Sequence, residues 1–187
     1  MFKLNIIPAE FSSNLTPEHL QKYGNGEVFI ETGTYLGDTV KLALKQPQFK
    51  RIHSIELNEK LFSNATEMFK DEPRVTIWLG DSIDTFPEIF KDMTEVATFW
   101  LDAHASGPYG GGHTGGSPLL DELRRIQMHP INYHTIFIDD RRLFGSQEWS
   151  GIAEEDAVAL LKEINPNYNI YYLNGYQPED IICASVR

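Results

Sequence analysis

The sequence predicts an α/β fold: a doubly wound sheet of seven mostly parallel strands with helices on both faces. Three observations carry this expectation. Five short apolar runs alternate with amphipathic stretches between Glu27 and Ile164. The runs are continuously apolar rather than alternating, as strands covered on both faces are. Two last runs, joined by Asn174-Gly175-Tyr176-Gln177-Pro178, form a hairpin-like pair, which places one antiparallel strand at or near an edge. Right-handed crossovers complete a helix–sheet–helix sandwich.

Each element has a local cause. Thr16-Pro17-Glu18 reads as an N-cap, an N1 proline and an acidic first turn, so a short helix is expected from Pro17 to Tyr23. Residues 1–26 are read as a helical preamble and 27–187 as one catalytic domain. Glu27–Glu31 is the first strand, and Asp38-Thr39 opens a helix limited by Pro47. Arg51–Leu57 is the second strand, and Asn58 caps a helix from Glu59 to about Lys70. Val75–Leu79 is the third strand, followed by a short helix after Gly80-Asp81-Ser82. Val96–Leu101, a helix over Pro118–Gln127, the strand His134–Ile138 and a helix over Ile152–Ile164 continue the alternation. Asn169–Leu173 and Asp180–Val186 are the last strands. Between Asp102 and Pro118 lies a glycine-rich stretch, residues 105–116, with the character either of a loop that closes over a site or of a tolerated surface insertion.

Composition sets the outer bounds. The chain has 187 residues and a formal net charge of −11. That suits one domain and argues against a nucleic-acid partner, which needs a basic surface. The single cysteine, Cys183, excludes an internal disulfide and a cysteine-based zinc cluster. No apolar run is long enough to span a bilayer, and the first residues lack the pattern of a secretory signal. A cytoplasmic protein without a membrane partner is expected.

In a doubly wound sheet, ligands bind beyond the carboxyl ends of the strands. All five leading strands end in acids: Glu31, Glu56, Asp81, Asp102, and the pair Asp139-Asp140. The first loop, Thr32-Gly33-Thr34-Tyr35-Leu36-Gly37, has the spacing E-x-G-x-x-x-G, which is neither the nicotinamide fingerprint nor a phosphate-binding loop. An acid beside that turn suits a cationic amino group better than a pyrophosphate. Glu56 is placed to accept hydrogen bonds from a ribose diol, and Asp81 with Ser82 to meet an adenine edge.

This ordered set resembles the class I S-adenosylmethionine-dependent methyltransferases. The matching segments are FIETGTYLG (29–37), IHSIELN (52–58), WLGDS (78–82), FWLDAH (99–104) and FIDD (137–140). The resemblance implies a Rossmann-like fold and S-adenosylmethionine as cofactor, held by Glu31, Gly33, Thr34, Gly37, Glu56, Asp81 and Ser82. Asp102 with Asp139 and Asp140 further resembles the metal site of magnesium-dependent small-molecule O-methyltransferases, some of which act on sugar hydroxyls of natural products. Independently of that likeness, three carboxylates at neighbouring strand ends repel one another unless protons or a hard divalent cation intervene. A different fate for Asp139 or Asp140 is helix capping or pairing with Arg141 or Arg142. Asp102 and His104 are the candidate catalytic pair, His104 as general base or as a loop histidine bonded locally.

The leading expectation is therefore an O-methyltransferase acting on a hydroxylated small molecule with Mg2+ or another divalent ion. A hydroxylase-like enzyme of the same fold, or a non-catalytic adenosyl-binding protein, stands beside it. The short N-terminal region leaves the acceptor pocket open, suited to a large acceptor, or completed by a second subunit in a homo-oligomer.

Overall fold

The computed structural model describes residues 13–103, 117–147 and 149–187. Within them the elements run α1 (Pro17–Tyr23), β1 (Val28–Thr32), α2 (Asp38–Leu44), β2 (Arg51–Glu56), α3 (Glu59–Met68), β3 (Val75–Leu79), α4 (Ser82–Phe90), β4 (Ala97–Leu101), α5 (Leu119–Gln127), β5 (Thr135–Ile138), α6 (Glu154–Ile164), β6 (Asn169–Leu173) and β7 (Ile181–Ser185). A single 3-10 turn, Arg141–Leu143, follows β5.

The seven strands form one sheet in the order β3-β2-β1-β4-β5-β7-β6. β1 to β5 are parallel to one another, and β7 is antiparallel to both β5 and β6. The expected seven-stranded doubly wound sheet is thus present, and its reversed strand is the penultimate one. Every residue of β1, β4, β5 and β7 is buried, which accounts for their unbroken apolar sequences. The outer strands β3 and β6 are only half covered.

Alternation along each strand feeds two cores. Val28, Ile30, Phe99, Ile136 and Ile138 face one layer with Phe86, Leu123, Ile126 and Leu161 from α4, α5 and α6. Phe29, Trp100, Phe137 and Cys183 face the other, with Leu20 and Tyr23 of α1, Val40 and Leu42 of α2 and Ala65 of α3. The part of the preamble that is described, from residue 13, is therefore packed into the sandwich. Thr16 caps α1 by accepting from the His19 amide, and the His19 ring returns the bond to the Thr16 amide.

Some boundaries differ from expectation for local reasons. α6 starts at Glu154 rather than Ile152, because Ile152 closes a turn with Gly145 and Trp149. α3 ends at Met68, where Phe69 leaves helical geometry as its C-cap.

Sheet register positions the site. Thr32 of β1 pairs with Ile55 of β2 and Leu101 of β4, and Leu101 pairs with Ile138 of β5. The residues that follow, Gly33, Asp102 and Asp139, emerge side by side from one row at the carboxyl edge. No helix among the described residues is long and apolar enough to cross a membrane.

Candidate functional site

The glycine-framed loop after β1 is shaped by two backbone requirements. Gly33 has φ +89°, and a Cβ built there would lie 2.9 Å from the Asp102 carbonyl oxygen. Only glycine lets the first and fourth strand ends approach this closely. Gly37, at φ +74°, is the N-cap of α2, and a Cβ there would meet the Phe69 ring at 2.8 Å. Between them Tyr35 is held at φ +46°, an uncommon conformation for a residue with a side chain.

Glu56 explains how that conformation is held. Its Oε2 accepts from the Tyr35 amide at 2.9 Å, and its Oε1 accepts from the Asn58 amide at 2.8 Å. One carboxylate thus joins the first loop to the second strand end. Each oxygen keeps further acceptor capacity, because an ionised carboxylate offers about four lone-pair sites. Asp81 is the N-cap of α4, accepting from the Ile83 amide at 2.9 Å, and Ser82 is the first residue of that helix. The Ser82 Oγ is buried and meets no partner at full hydrogen-bond geometry.

Glu31 lies deeper than the sequence suggests. It is 1% exposed, and its Oε2 accepts from Ser54 Oγ at 2.5 Å. Thr34 Oγ1 lies 2.6 Å from the same serine oxygen. Burial pushes the Glu31 carboxyl up to about 8, with the Asp102 and Glu56 charges adding to the shift. Near neutral pH it is a protonated acid under the glycine loop.

The second cluster lies at the ends of β4 and β5. Asp102, Asp139 and Asp140 each bring a carboxylate oxygen into a group whose ligand atoms all lie within 4.8 Å of one another. Asp139 is buried, and its carboxyl is raised by desolvation first and by the Asp102 and Asp140 charges second. Asn14 Nδ2 donates to both Asp139 oxygens, at 2.9 and 3.1 Å. Asp140 stands in the left-handed region at φ +55° and pairs with Arg142 at 2.6 Å. Arg142 also pairs with the buried Asp180, while Arg141 pairs with Glu154 at 2.8 Å. Both guanidinium groups are thus engaged with acids of this chain.

Two neighbours of these clusters are not anticipated by the sequence reading. Asn14 is one, and its segment carried no motif. Glu122 of α5 is the other: 1% exposed, with burial raising its carboxyl to about 8 and the Asp81 and Asp102 charges contributing. Its signal was available, because Leu119, Glu122, Leu123 and Ile126 are one helical face, and that face is the buried one. His104 and the glycine-rich stretch 105–116 lie outside the described residues. Trp149 is 1% exposed, packs against Phe144 and belongs to the core. His53 accepts from Trp78 Nε1 within the sheet, a structural role.

Comparison with solved structures places this architecture. A candidate caffeoyl-CoA O-methyltransferase from Staphylococcus aureus superposes with a TM-score of 0.59 at 15% identity, over 90% of this chain and 79% of that one. The SAH-bound Podospora anserina methyltransferase PaMTH1 gives 0.56 at 13% identity, over 87% and 72%. The fold is the Rossmann-like methyltransferase fold. Spermidine synthase from Thermotoga maritima shares this methyltransferase fold, with a TM-score of 0.58 at 12% identity over 88% of this chain, which spans 55% of the synthase. No family model matches the sequence, and no curated protein matches it. Within the methyltransferase fold, both acidic clusters lie at the carboxyl edge, where ligands of open α/β sheets bind.

Proposed function

We propose that the protein is an S-adenosylmethionine-dependent O-methyltransferase acting on a hydroxylated small molecule, assisted by a divalent metal ion. One observation carries the cofactor assignment. Glu56 and the Gly33–Gly37 loop are locked together at the carboxyl edge, with acceptor capacity left on the carboxylate. In this reading Glu56 takes the ribose hydroxyls and Asp81 with Ser82 takes the adenine edge. Gly33, Thr34 and Gly37 give close backbone approach to the sugar and methionine portions, over the buried Glu31. The SAH in the PaMTH1 structure supports the choice of an adenosyl ligand. S-adenosylmethionine supplies an activated methyl group on a sulfonium.

For the metal, the donor set is the test. Three carboxylates converge within 4.8 Å, all hard oxygen donors of the kind Mg2+ takes. Asp102, Asp139 and Asp140 are the residues that would hold it, and a divalent ion there would supply Lewis acidity toward an acceptor hydroxyl. The chain's own contribution is placement. Asp102 follows β4, with its amide donating to the Thr32 carbonyl at 3.2 Å, so the backbone that carries the acceptor-side carboxylate is tied to the cofactor-side strand. Such placement of acceptor against donor is the main demand of methyl transfer. His104, two residues beyond Asp102, is the base assigned to take the acceptor proton.

Isothermal titration with S-adenosylmethionine and SAH, each with Mg2+ and with EDTA, tests the reading. Micromolar binding of both is expected, together with a separate heat for Mg2+. Absence of adenosyl binding under every condition overturns it. Binding without turnover across a panel of catechols, sugars and other vicinal diols favours a non-catalytic adenosyl-binding protein.

A further inference from the structure

We infer that Asn14 is a positioning residue for the divalent-ion site, holding Asp139 in a ligating orientation from the N-terminal strap. The inference rests on the metal reading above and extends it to a residue outside the strand-end set. Asn14 crosses 125 positions of sequence to place its Nδ2 at 2.9 and 3.1 Å from the two Asp139 oxygens.

Its chemistry matters as much as its place. Asp140 is restrained by a guanidinium, which offsets its charge. Asp139 is restrained by a neutral amide, which fixes the carboxyl group without adding a positive charge that would repel a cation. A lysine or arginine there would compete with the ion. A carboxamide bonded to both oxygens of a carboxylate that keeps further acceptor sites is the kind of outer partner that orients metal ligands, and loss of such a partner typically weakens metal affinity about 10- to 100-fold.

The strap is itself anchored. Ser13 Oγ accepts from Thr39 Oγ1 of α2 at 2.8 Å and from the Leu15 amide at 3.2 Å, and Leu15 is 2% exposed in the core. Because α2 begins at Gly37, the strap joins the helix of the glycine loop to the end of β5.

Titration calorimetry with Mg2+ alone, without any adenosyl ligand, tests the inference on the wild type, Asn14→Ala, Asn14→Asp and Ser13→Ala. The wild type should bind. Asn14→Ala should bind about 10- to 100-fold more weakly, and Ser13→Ala within about threefold of wild type, since the amide contact remains. Asn14→Asp adds a fourth acid, so its melting temperature should fall in EDTA and rise on Mg2+ addition by more than the wild type's. Unchanged affinity in Asn14→Ala, beside a wild type that binds, overturns the role of Asn14 and leaves the metal reading standing. Equal losses in Asn14→Ala and Ser13→Ala also overturn it, since Asn14 would then only dock the strap. No Mg2+ binding by the wild type overturns both.

Discussion

Gly33 and Asp102 stand so close that a single methyl group would separate them. Alanine at position 33 meets both a positive φ and a Cβ contact of 2.9 Å with backbone. Gly33→Ala should cost about 1–3 kcal/mol of stability, read from urea melts, and a midpoint equal to wild type would refute the close approach. Asp102→Ala should abolish methyl transfer while the dissociation constant for S-adenosylmethionine stays near wild type. Parallel loss of binding would move Asp102 into the cofactor site. Glu56→Ala removes charge-assisted bonds worth about 1.5–3 kcal/mol each. The adenosyl dissociation constant should rise by at least about tenfold, and an unchanged constant would remove the ribose assignment. Among single residues, legibility followed chain position. Glu56, Asp81, Asp102 and Asp139 stand at strand ends, and strand ends can be read from hydrophobic runs. Asn14 could not be found that way, because its meaning comes from a contact 125 positions away.

The helices repeat the lesson one level up. Local signals placed α1, α2 and α5 within a residue or two: a Thr16 cap and N1 proline for α1, and apolar stripes bounded by Gly37 and Pro118 for the other two. Where a polar residue is buried, periodicity reached the face but not its chemistry. Glu122 shares the inward face of α5 with Leu119, Leu123 and Ile126, although an acid in a first turn is ordinarily solvent-facing. Its neighbours Asp81 and Asp102 come from other strand ends, so the environment that keeps it protonated is tertiary. α1 offers the complementary case, since a segment read as a preamble buries Leu20 completely. Leu20→Ala should destabilise the whole domain by about 2–5 kcal/mol. A change confined to local proteolysis near residue 20, with an unaltered global transition, would show that α1 is an appendage.

Across the whole molecule, buried ionisable groups pull stability in opposite directions with pH. Glu31 and Glu122 are raised from 4.5 to about 8 in the fold. Their contribution is complete below about pH 4.5 and is lost as pH rises through 8. His53 and His134 are lowered from 6.5 to about 4 and about 3, chiefly by burial. Their contribution is complete above pH 6.5 and is lost as pH falls through those values. Asp139, raised likewise by burial, adds to the alkaline side, so the melting temperature of the ligand-free protein should fall most steeply between about pH 6.5 and 8, where the histidines no longer offset the acids. Glu122→Gln should flatten the alkaline decline, because its amide has no proton to lose. A melting temperature that rises steadily from pH 6.5 to 8 would contradict the buried, neutral acids.

The placement of β7 also bears on how the chain is made. β5 is complete once residue 138 has been synthesised, yet its outer edge pairs with β7, whose last residue is Ser185. β6 emerges earlier and has no partner until β7 enters between them. Until residues 181–185 have been made, β5 and β6 thus each display an unpaired strand edge, both with apolar side chains. Such edges are templates for mispairing with other chains. Closure of this sheet consequently waits on the synthesis of β7, after every other strand.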